Sequence, residues 1–252
     1  MVRIRATGSA LVAKKGNQMI EAEWWEYDSL DELADAVAGD VGFIIESAVD
    51  ARDASLIAVP GGKTGPAIYG KLASQRLPWK KVTIIPTDDR LVPVDSDLSN
   101  VREIARSFLA LGGRVVPLTS EAASDYKLAG NAADARLQDL PWPPDLVWLG
   151  MGEDGHTASI FPGPDFQGAL EAPKARRAIG VMPDPLPADA GVPRVTLTRA
   201  AILSARTVLI TITGQKKREV LEQAIADGHS SKLPIGRVLA EAEQPIDIHW
   251  CP

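Results

Sequence analysis

The stretch DLVWLGMGEDGHTASIFPG (145–163) decides the fold class, because an apolar run that predicts a buried strand leads directly into a glycine-rich turn. The turn has the G-x-G-x-x-G spacing at Gly150, Gly152 and Gly155. A dinucleotide-binding turn of this spacing also needs a long helix after its third glycine and an acidic residue about 20 positions later. Here Pro162 stops any helix early, and the later segment is basic. The sequence therefore argues against a dinucleotide site.

Short apolar runs rich in β-branched residues alternate with amphipathic segments along the rest of the chain. This alternation predicts buried parallel strands joined by helices, the first of which begins at the capping-box pair Ser29 and Glu32. The proline-rich stretch 182–193 predicts a surface loop or a lid. We therefore predict an α/β fold with a mostly parallel sheet flanked by helices, whose ligands bind at the carboxyl ends of the strands. The predicted strands are 19–27 at an edge, 55–60, 81–86, 114–118, 145–150 and 207–213.

Composition narrows the class of protein. The 252 residues carry a formal charge of −6, which disfavours a nucleic-acid or anionic-membrane surface. Cys251 is the only cysteine, which excludes an intrachain disulfide and favours the cytoplasm. No apolar run approaches the ~20 residues that span a bilayer. Residues 1–18 are predicted to be an N-terminal lead-in with some flexibility, and residues 19–252 a single α/β domain.

A second glycine-rich turn, in VPGGKTGPAIYGKLA (59–73), follows another predicted strand. Gly61 and Gly62 let the backbone amides point one way, and the helix predicted to begin near Pro66 adds partial positive charge. Thr64 adds a hydroxyl donor. The motif fits a phosphate cradle and a turn without ligand equally well, and it lacks the spacing of a P-loop.

The segment after predicted strand 81–86 is rich in charge. Asp88, Asp89 and Arg90 stand where the end of the strand exposes them, and by themselves they predict a solvated turn. Ser99 predicts the N-cap of a following helix.

Of the three histidines, His156 is the one that stands among acids on a glycine turn, beside Glu153 and Asp154. A histidine so placed can act as a general base near neutral pH. His229 is predicted to be a loop residue, and His249 a packing or surface residue. The histidines and the cysteine have no metal-ligand spacing, so no metal site is predicted. The G-x-S-x-G motif of serine hydrolases is absent.

Cations stand near two further strand ends. Arg194 precedes a strand-like run, and Lys216, Lys217 and Arg218 begin a predicted helix. Cations are unfavourable at a helix N-terminus unless an anion binds there. Lys216 and Arg218 are predicted to extend into solvent.

Together these segments resemble the 6-phosphogluconolactonase family over most of the chain. LGMGEDGHTASIFPG is similar to the family's G-x-G-x-D-G-H-x-A-S-[LI]-F-P signature, and PRVTLT and G-x-x-K (214–217) follow in the family's order. DDR…SN resembles the family's D-E-R…S-N, with Asp89 in place of glutamate. The glycine loop departs from the family's G-G-S-T-P, because Lys63 replaces the serine and Gly65 the proline.

The resemblance implies a sugar-phosphate isomerase and deaminase-like (NagB/RpiA/CoA transferase-like) fold. It implies hydrolysis of 6-phospho-D-glucono-1,5-lactone to 6-phosphogluconate in the oxidative pentose phosphate pathway, without metal or organic cofactor. By position, the phosphate is expected to lie on the loop of Gly61, Gly62 and Thr64, clamped by Arg194 and Lys217.

The catalytic roles follow from the same resemblance. His156 is expected to take a proton from the attacking water, and Arg90 to stabilise the negative charge that grows on the carbonyl oxygen. Asp88 and Asn100 are expected to orient these groups or the sugar hydroxyls, and Asp154 to shape the turn.

Two other functions remain open. Glucosamine-6-phosphate deaminases share the D-G-H turn, but their signature continues I-A-F-N-E-P, whereas this chain has Ser159 to Pro162 without Asn-Glu. A non-catalytic sugar-phosphate sensor would be expected to carry a DNA-binding module, for which the lead-in is too short. The expected partner is a small phosphosugar lactone, not nucleic acid or membrane. The chain is expected to be a monomer, with a weak homodimer as the alternative.

Overall fold

The computed structural model describes residues 20–119, 125–187 and 191–252, so the predicted lead-in lies outside the described residues. Within these ranges the chain alternates strands with helices, as predicted. The strands are β1 (Ala22–Glu26), β2 (Ser55–Val59), β3 (Val82–Pro86), β4 (Asp88–Arg90), β5 (Arg114–Val115), β6 (Leu146–Gly150), β7 (Ala178–Val181), β8 (Arg194–Leu197), β9 (Thr207–Thr213) and β10 (Ile246–Cys251). The α-helices are α1 (Leu30–Arg52), α2 (Gly65–Ala73), α3 (Asn100–Phe108), α4 (Tyr126–Gln138), α5 (Phe166–Glu171), α6 (Arg199–Leu203), α7 (Gln215–Asp227) and α8 (Pro234–Leu239).

Seven strands form a parallel sheet in the order β1-β10-β9-β6-β2-β3-β5. The predicted parallel sheet is thus confirmed, with β1 at an edge, although β10, which pairs with β1, was not among the predicted strands. β5 is shorter than the predicted strand 114–118. The Val116 amide still donates to the Ile84 carbonyl at 2.9 Å, but Pro117 has no amide hydrogen with which to continue the ladder.

A second sheet, β4-β8-β7, is antiparallel and was not predicted. Its strand β4 has three residues, all charged, so it has no apolar alternation. The prediction of a solvated turn at Asp88 and Asp89 is wrong, because both residues are buried. They are buried because β4 pairs with β8, which lies more than 100 positions further along the sequence.

Helices cover both faces of the parallel sheet, and each face has its own apolar core. On one face, α1 buries Leu33, Val37, Val41 and Ile45, which recur every fourth position and so form one helical stripe. The Ser29 hydroxyl accepts from the Glu32 amide at 3.3 Å, as the capping pattern predicts. The Glu32 carboxylate reaches the amide of Asp28 rather than that of Ser29.

The order of the parallel strands places a switch point between β2 and β6. From β2 the chain adds β3 and β5 on one side, and from β6 it adds β9 and β10 on the other. The loops that leave two such strands at their carboxyl ends diverge and open a crevice, where ligands bind in open α/β sheets.

The connection 182–193 has no helix or strand in its described parts, and residues 188–190 lie outside them. The predicted loop is therefore confirmed where it is described. No helix within the described residues is long and apolar enough to cross a membrane.

Candidate active site

A cleft of about 250 Å³ lies at the switch point. Its walls are the loops after β2, β3 and β6, together with side chains from β8, β9 and the first turn of α7. The sequence places these segments far apart, and the parallel sheet brings their carboxyl ends together. The predicted site residues that line the cleft are Gly61, Gly62, Thr64, Asp88, Arg90, Asn100, His156, Arg194 and Lys217.

The turn after β6 is held by its own backbone. The Gly152 amide donates to the His156 carbonyl at 2.9 Å, and the Gly155 amide donates to the Gly152 carbonyl at 3.1 Å. Gly155 has a φ of 79°, a left-handed conformation that favours glycine. No helix follows this turn, which agrees with the rejection of a dinucleotide site.

Three neighbours fix the imidazole of His156. Phe161 stacks on the ring with centroids 4.1 Å apart, and a Cβ on Gly152 would overlap the ring. Asp154, which lies outside the cleft lining, places Oδ1 2.6 Å from Nδ1 and also accepts the His156 backbone amide at 3.2 Å. Its hydrogen bond to His156 lowers the pKa of the Asp154 carboxyl. An ionised carboxylate only accepts hydrogen bonds, so Nδ1 carries a proton, and in the neutral imidazole Nε2 then has the free lone pair.

The loop after β2 supplies unused donors. Gly62 has a φ of 94°, and a Cβ on Gly61 would overlap the Asn100 amide. Thr64 precedes α2 but makes no capping hydrogen bond with its side chain, and the first turn of α2 has no acidic residue. The partial positive charge at this helix end is therefore not offset by a side-chain cap or by the first turn of α2.

The same absence recurs at α7, which begins after Gly214 without a side-chain cap or an acidic first turn. The other described helices of nine residues or more, α1, α3 and α4, each begin with a side-chain cap. Lys217 from the first turn of α7 lines the same cleft as the loop before α2. Two helix N-termini without a side-chain cap or an acidic residue in their first turn therefore flank one crevice, an arrangement that favours a bound anion.

Asp89 organises the segment that follows β3. Its carboxylate accepts the backbone amides of Arg90 at 2.9 Å, Asn100 at 2.7 Å and Val101 at 3.2 Å. Burial raises the pKa of Asp89 to about 6, while these amides act in the opposite direction. The Arg90 guanidinium donates to the side-chain oxygen of Asn100. The side-chain nitrogen of Asn100, Nδ2, in turn donates to the backbone carbonyl of Asp88 at 2.8 Å. Asp89 thus holds two predicted site residues in place.

Asp88 is also held from the glycine turn. The Ser159 hydroxyl donates to Asp88 Oδ2 at 2.5 Å, and the Ser159 amide donates to the Thr196 hydroxyl on β8 at 3.1 Å. Sequence reasoning assigned no role to Ser159, Phe161 or Asp89. Their contacts join residues far apart in the chain, and the only earlier sign was that they fall within the quoted motifs.

The cleft is strongly cationic, although the whole chain has a formal charge of −6. Its lining includes Lys63, Arg90, Arg194 and Lys217 but a single carboxylate, that of Asp88. Arg90 and Arg194 are directly opposite partners in the antiparallel pair of β4 and β8. Like charges in such a pair repel each other. Both guanidinium groups therefore add positive charge to this part of the cleft.

The three cations at the start of α7 have different environments. Lys217 is half-buried, and burial lowers its pKa, as does the charge of Lys63, while Glu153 and Asp154 raise it. Lys216 is exposed and forms an ion pair with Glu153 at 2.6 Å.

The prediction that Arg218 extends into solvent is wrong. The guanidinium lies over the rings of Trp24 and Trp250 and pairs with Glu26 at 2.7 Å and Glu222 at 2.9 Å. A planar, weakly hydrated guanidinium favours such a stacked position over full hydration.

The other predictions about histidine are settled by burial. His249 is buried, with 1% of its surface exposed, so it is a packing residue. His229 is exposed in a short 3-10 turn. Among the described residues, no group of three His, Cys, Asp or Glu side chains is arranged to hold a metal ion.

Comparison with known proteins identifies the family. The family described as glucosamine-6-phosphate isomerases/6-phosphogluconolactonase matches residues 28–250. The chain belongs to this family. A 6-phosphogluconolactonase of Rhizobium meliloti (strain 1021) is 38% identical over 230 residues, which are 90% of this chain and 97% of that protein.

Solved structures agree with this membership. A crystal structure of a 6-phosphogluconolactonase from Shewanella baltica OS155 has a TM-score of 0.84 at 30% identity and covers 92% of this chain and 98% of its own. A monomeric glucosamine-6-phosphate deaminase of the NagB superfamily has a TM-score of 0.74, covers 90% of this chain and 96% of its own, and at 17% identity shows a shared fold alone. The predicted fold class is confirmed.

Proposed function

We propose that this chain hydrolyses 6-phospho-D-glucono-1,5-lactone to 6-phospho-D-gluconate, in the oxidative pentose phosphate pathway. One observation carries the proposal: the imidazole of His156, whose Nδ1 faces an ionised carboxylate, lines a cleft whose other charged side chains are mostly cations. Such a site combines a base with an anion-binding surface. The name of the similar Rhizobium meliloti protein, 97% of whose length this chain covers, supports this substrate.

The phosphate is proposed to bind at the two helix N-termini. The loop of Gly61, Gly62 and Thr64 offers backbone amides and a hydroxyl, and Arg194 and Lys217 supply charge. Binding there would compensate the helix ends that the protein leaves uncapped.

The chemistry needs one base and one electrostatic contact. Nε2 of His156 takes a proton from water while the water oxygen attacks the lactone carbonyl carbon. The carbonyl π electrons move to its oxygen, and Arg90 stabilises that charge. When the tetrahedral carbon expels the ring oxygen, the proton on Nε2 passes to that oxygen, and the product is an open-chain acid. Asp88 and Asn100 orient Arg90 and the sugar hydroxyls, and Asp154 holds the imidazole.

This scheme uses neither a metal nor an organic cofactor, because a lactone is an activated ester. We propose that the enzyme acts in the cytoplasm on a small phosphosugar lactone, as a monomer, without nucleic acid or membrane as partner. The acidic chain and its single cysteine support this setting.

Neither alternative function has a specific observation in its favour. In the deaminase signature a glutamate follows the D-G-H turn, whereas here Ser159 occupies that segment and bonds Asp88. A non-catalytic sensor has no evident need for the Asp154–His156 hydrogen bond, since phosphate binding alone would not require a fixed imidazole.

A coupled assay tests the proposal. The lactone is generated from glucose 6-phosphate by its dehydrogenase, and 6-phosphogluconate is detected with a second dehydrogenase. We expect product to form well above a no-enzyme control, which is essential because the lactone also hydrolyses unaided. A rate equal to that control would overturn the proposal, and release of ammonia from glucosamine 6-phosphate would favour the deaminase instead.

A further inference from the structure

Lys63 lies at the anion-binding end of the cleft without a carboxylate partner. It follows Gly62 in the loop before α2, is exposed, and lines the cleft. Within the described part of the chain, no carboxylate lies within ion-pair distance of its ammonium group. Its charge is therefore not neutralised locally by the protein.

Lys63 and Lys217 act on each other across this end of the cleft. Burial is the main cause that lowers the pKa of Lys217, and the positive charge of Lys63 lowers it further. The two ammonium groups come from different elements, the loop after β2 and the first turn of α7. The cleft therefore has two mutually repelling ammonium groups close to two helix N-termini without side-chain caps.

We propose that Lys63 determines selectivity for the doubly ionised phosphate: together with Lys217 it makes the cleft bind the dianion of the phosphosugar in preference to its monoanion. The inference rests on the proposed function and adds the ionisation state of the substrate. A Coulomb energy is proportional to the charge of the ligand. Removal of one cation from the cleft therefore costs a dianion twice the binding free energy that it costs a monoanion.

Titration calorimetry with 6-phospho-D-gluconate at pH 5 and pH 8 measures this selectivity, since the second phosphate pKa lies near 6. For Lys63→Ser we expect affinity to fall about fivefold at pH 8 and about twofold at pH 5, the range of an exposed charge pair. Lys63→Arg, which keeps the charge, should retain most of the pH 8 affinity.

Lys174→Ser is the matched control, because Lys174 is exposed and lies outside the cleft lining. It changes the net charge equally and should bind like the wild type. Equal affinities for Lys63→Ser and Lys174→Ser at pH 8, or an equal loss at pH 5 and pH 8, would overturn the inference. A wild-type chain inactive in the coupled assay would overturn the proposed function instead, so the two failures are distinguishable.

Discussion

At the scale of single residues, the site depends on how one imidazole is held. Asp154 fixes the proton on Nδ1, Phe161 supports the face of the ring, and the missing side chain of Gly152 leaves room for it. The ring is therefore positioned before any substrate binds, and preorganisation of this kind lowers the cost of reaching the transition state.

Asp154→Asn tests the carboxylate. The amide cannot ionise and no longer forces the proton onto Nδ1, so the tautomer with a free Nε2 loses its preference. By analogy with other histidine–carboxylate pairs, kcat should fall about 10²-fold or more while KM changes little. Steady-state kinetics measure both. Glu153→Gln is the control, because Glu153 pairs with Lys216 and does not contact the ring; an equal loss in both variants would contradict a specific role for Asp154.

Gly152→Ala tests the fit of the ring. The added methyl group would overlap Cε1 and Nδ1 of His156 and must displace the imidazole. A displacement of about 1 Å costs about 10²-fold in rate, so kcat should fall by roughly that factor. Gly39→Ala, in an exposed part of α1 with no atom near the new methyl, should keep kcat and stabilise the fold by about 0.5–1 kcal/mol. Thermal melts and kcat on both variants check this, and an unchanged kcat in Gly152→Ala would contradict the fit.

His156 was predictable because only three histidines exist and it alone stands on a G-x-G-x-x-G turn after a predicted strand. The contact between Ser159 and Asp88 spans 71 positions, and no local pattern in either segment points to the other. Asp89 was interpreted as solvated for the same reason: its partners, the first amides of α3, are local only after the chain has folded back.

At the scale of elements, short apolar runs located six of the seven parallel strands, but neither β10 nor the small sheet. β4 has three charged residues, and what makes it a strand is pairing with β8. This pairing sets Arg90 opposite Arg194 and so brings two cations to the cleft from distant parts of the sequence. The uncapped starts of α2 and α7 flank the same cleft.

The pair of β1 and β10 carries a pH dependence of stability. His249 stacks on Tyr27 and Trp25, and burial lowers its pKa to about 4. Because this folded-state value lies below the ordinary 6.5, the neutral ring stabilises the fold fully above pH ~6.5, and that contribution is lost as pH falls towards 4. At pH 5 the loss is about 2 kcal/mol.

Urea unfolding at pH 7.5 and pH 5 measures this loss. The wild type should lose about 2 kcal/mol more between the two pH values than His249→Gln, whose side chain does not titrate. His229→Gln, which alters an exposed histidine, should follow the wild type. Parallel losses in the wild type and His249→Gln would show that burial of this ring does not govern acid stability.

At the scale of the whole molecule, charge is separated between the surface and the cleft. The chain has a formal charge of −6, yet the cleft lining holds four cations and one carboxylate. Composition predicts the net negative charge of the chain. It does not predict the cationic cleft, because the clustering of these cations depends on which strand ends meet at the switch point. That order of strands is a property of the folded sheet, which no single segment specifies.

The charge separation predicts how salt acts on the enzyme. Raising the salt concentration from 10 mM to 150 mM shortens the Debye length from about 30 Å to about 8 Å and weakens attraction of the phosphate. KM should therefore rise several-fold while kcat changes little, because salt screens the attraction that brings the phosphate into the cleft. Lys217→Ala should show a higher KM and a shallower salt dependence. Equal slopes in the two proteins would mean that Lys217 does not contact the phosphate.

The most direct test of the account is His156→Ala, with kcat measured in the coupled assay and the affinity for 6-phospho-D-gluconate measured on the same preparation. If His156 delivers the water, kcat should fall about 10²- to 10⁴-fold while the affinity stays close to that of the wild type. Wild-type turnover in this variant would contradict the account, because the cleft would then catalyse hydrolysis without the base on which the mechanism depends.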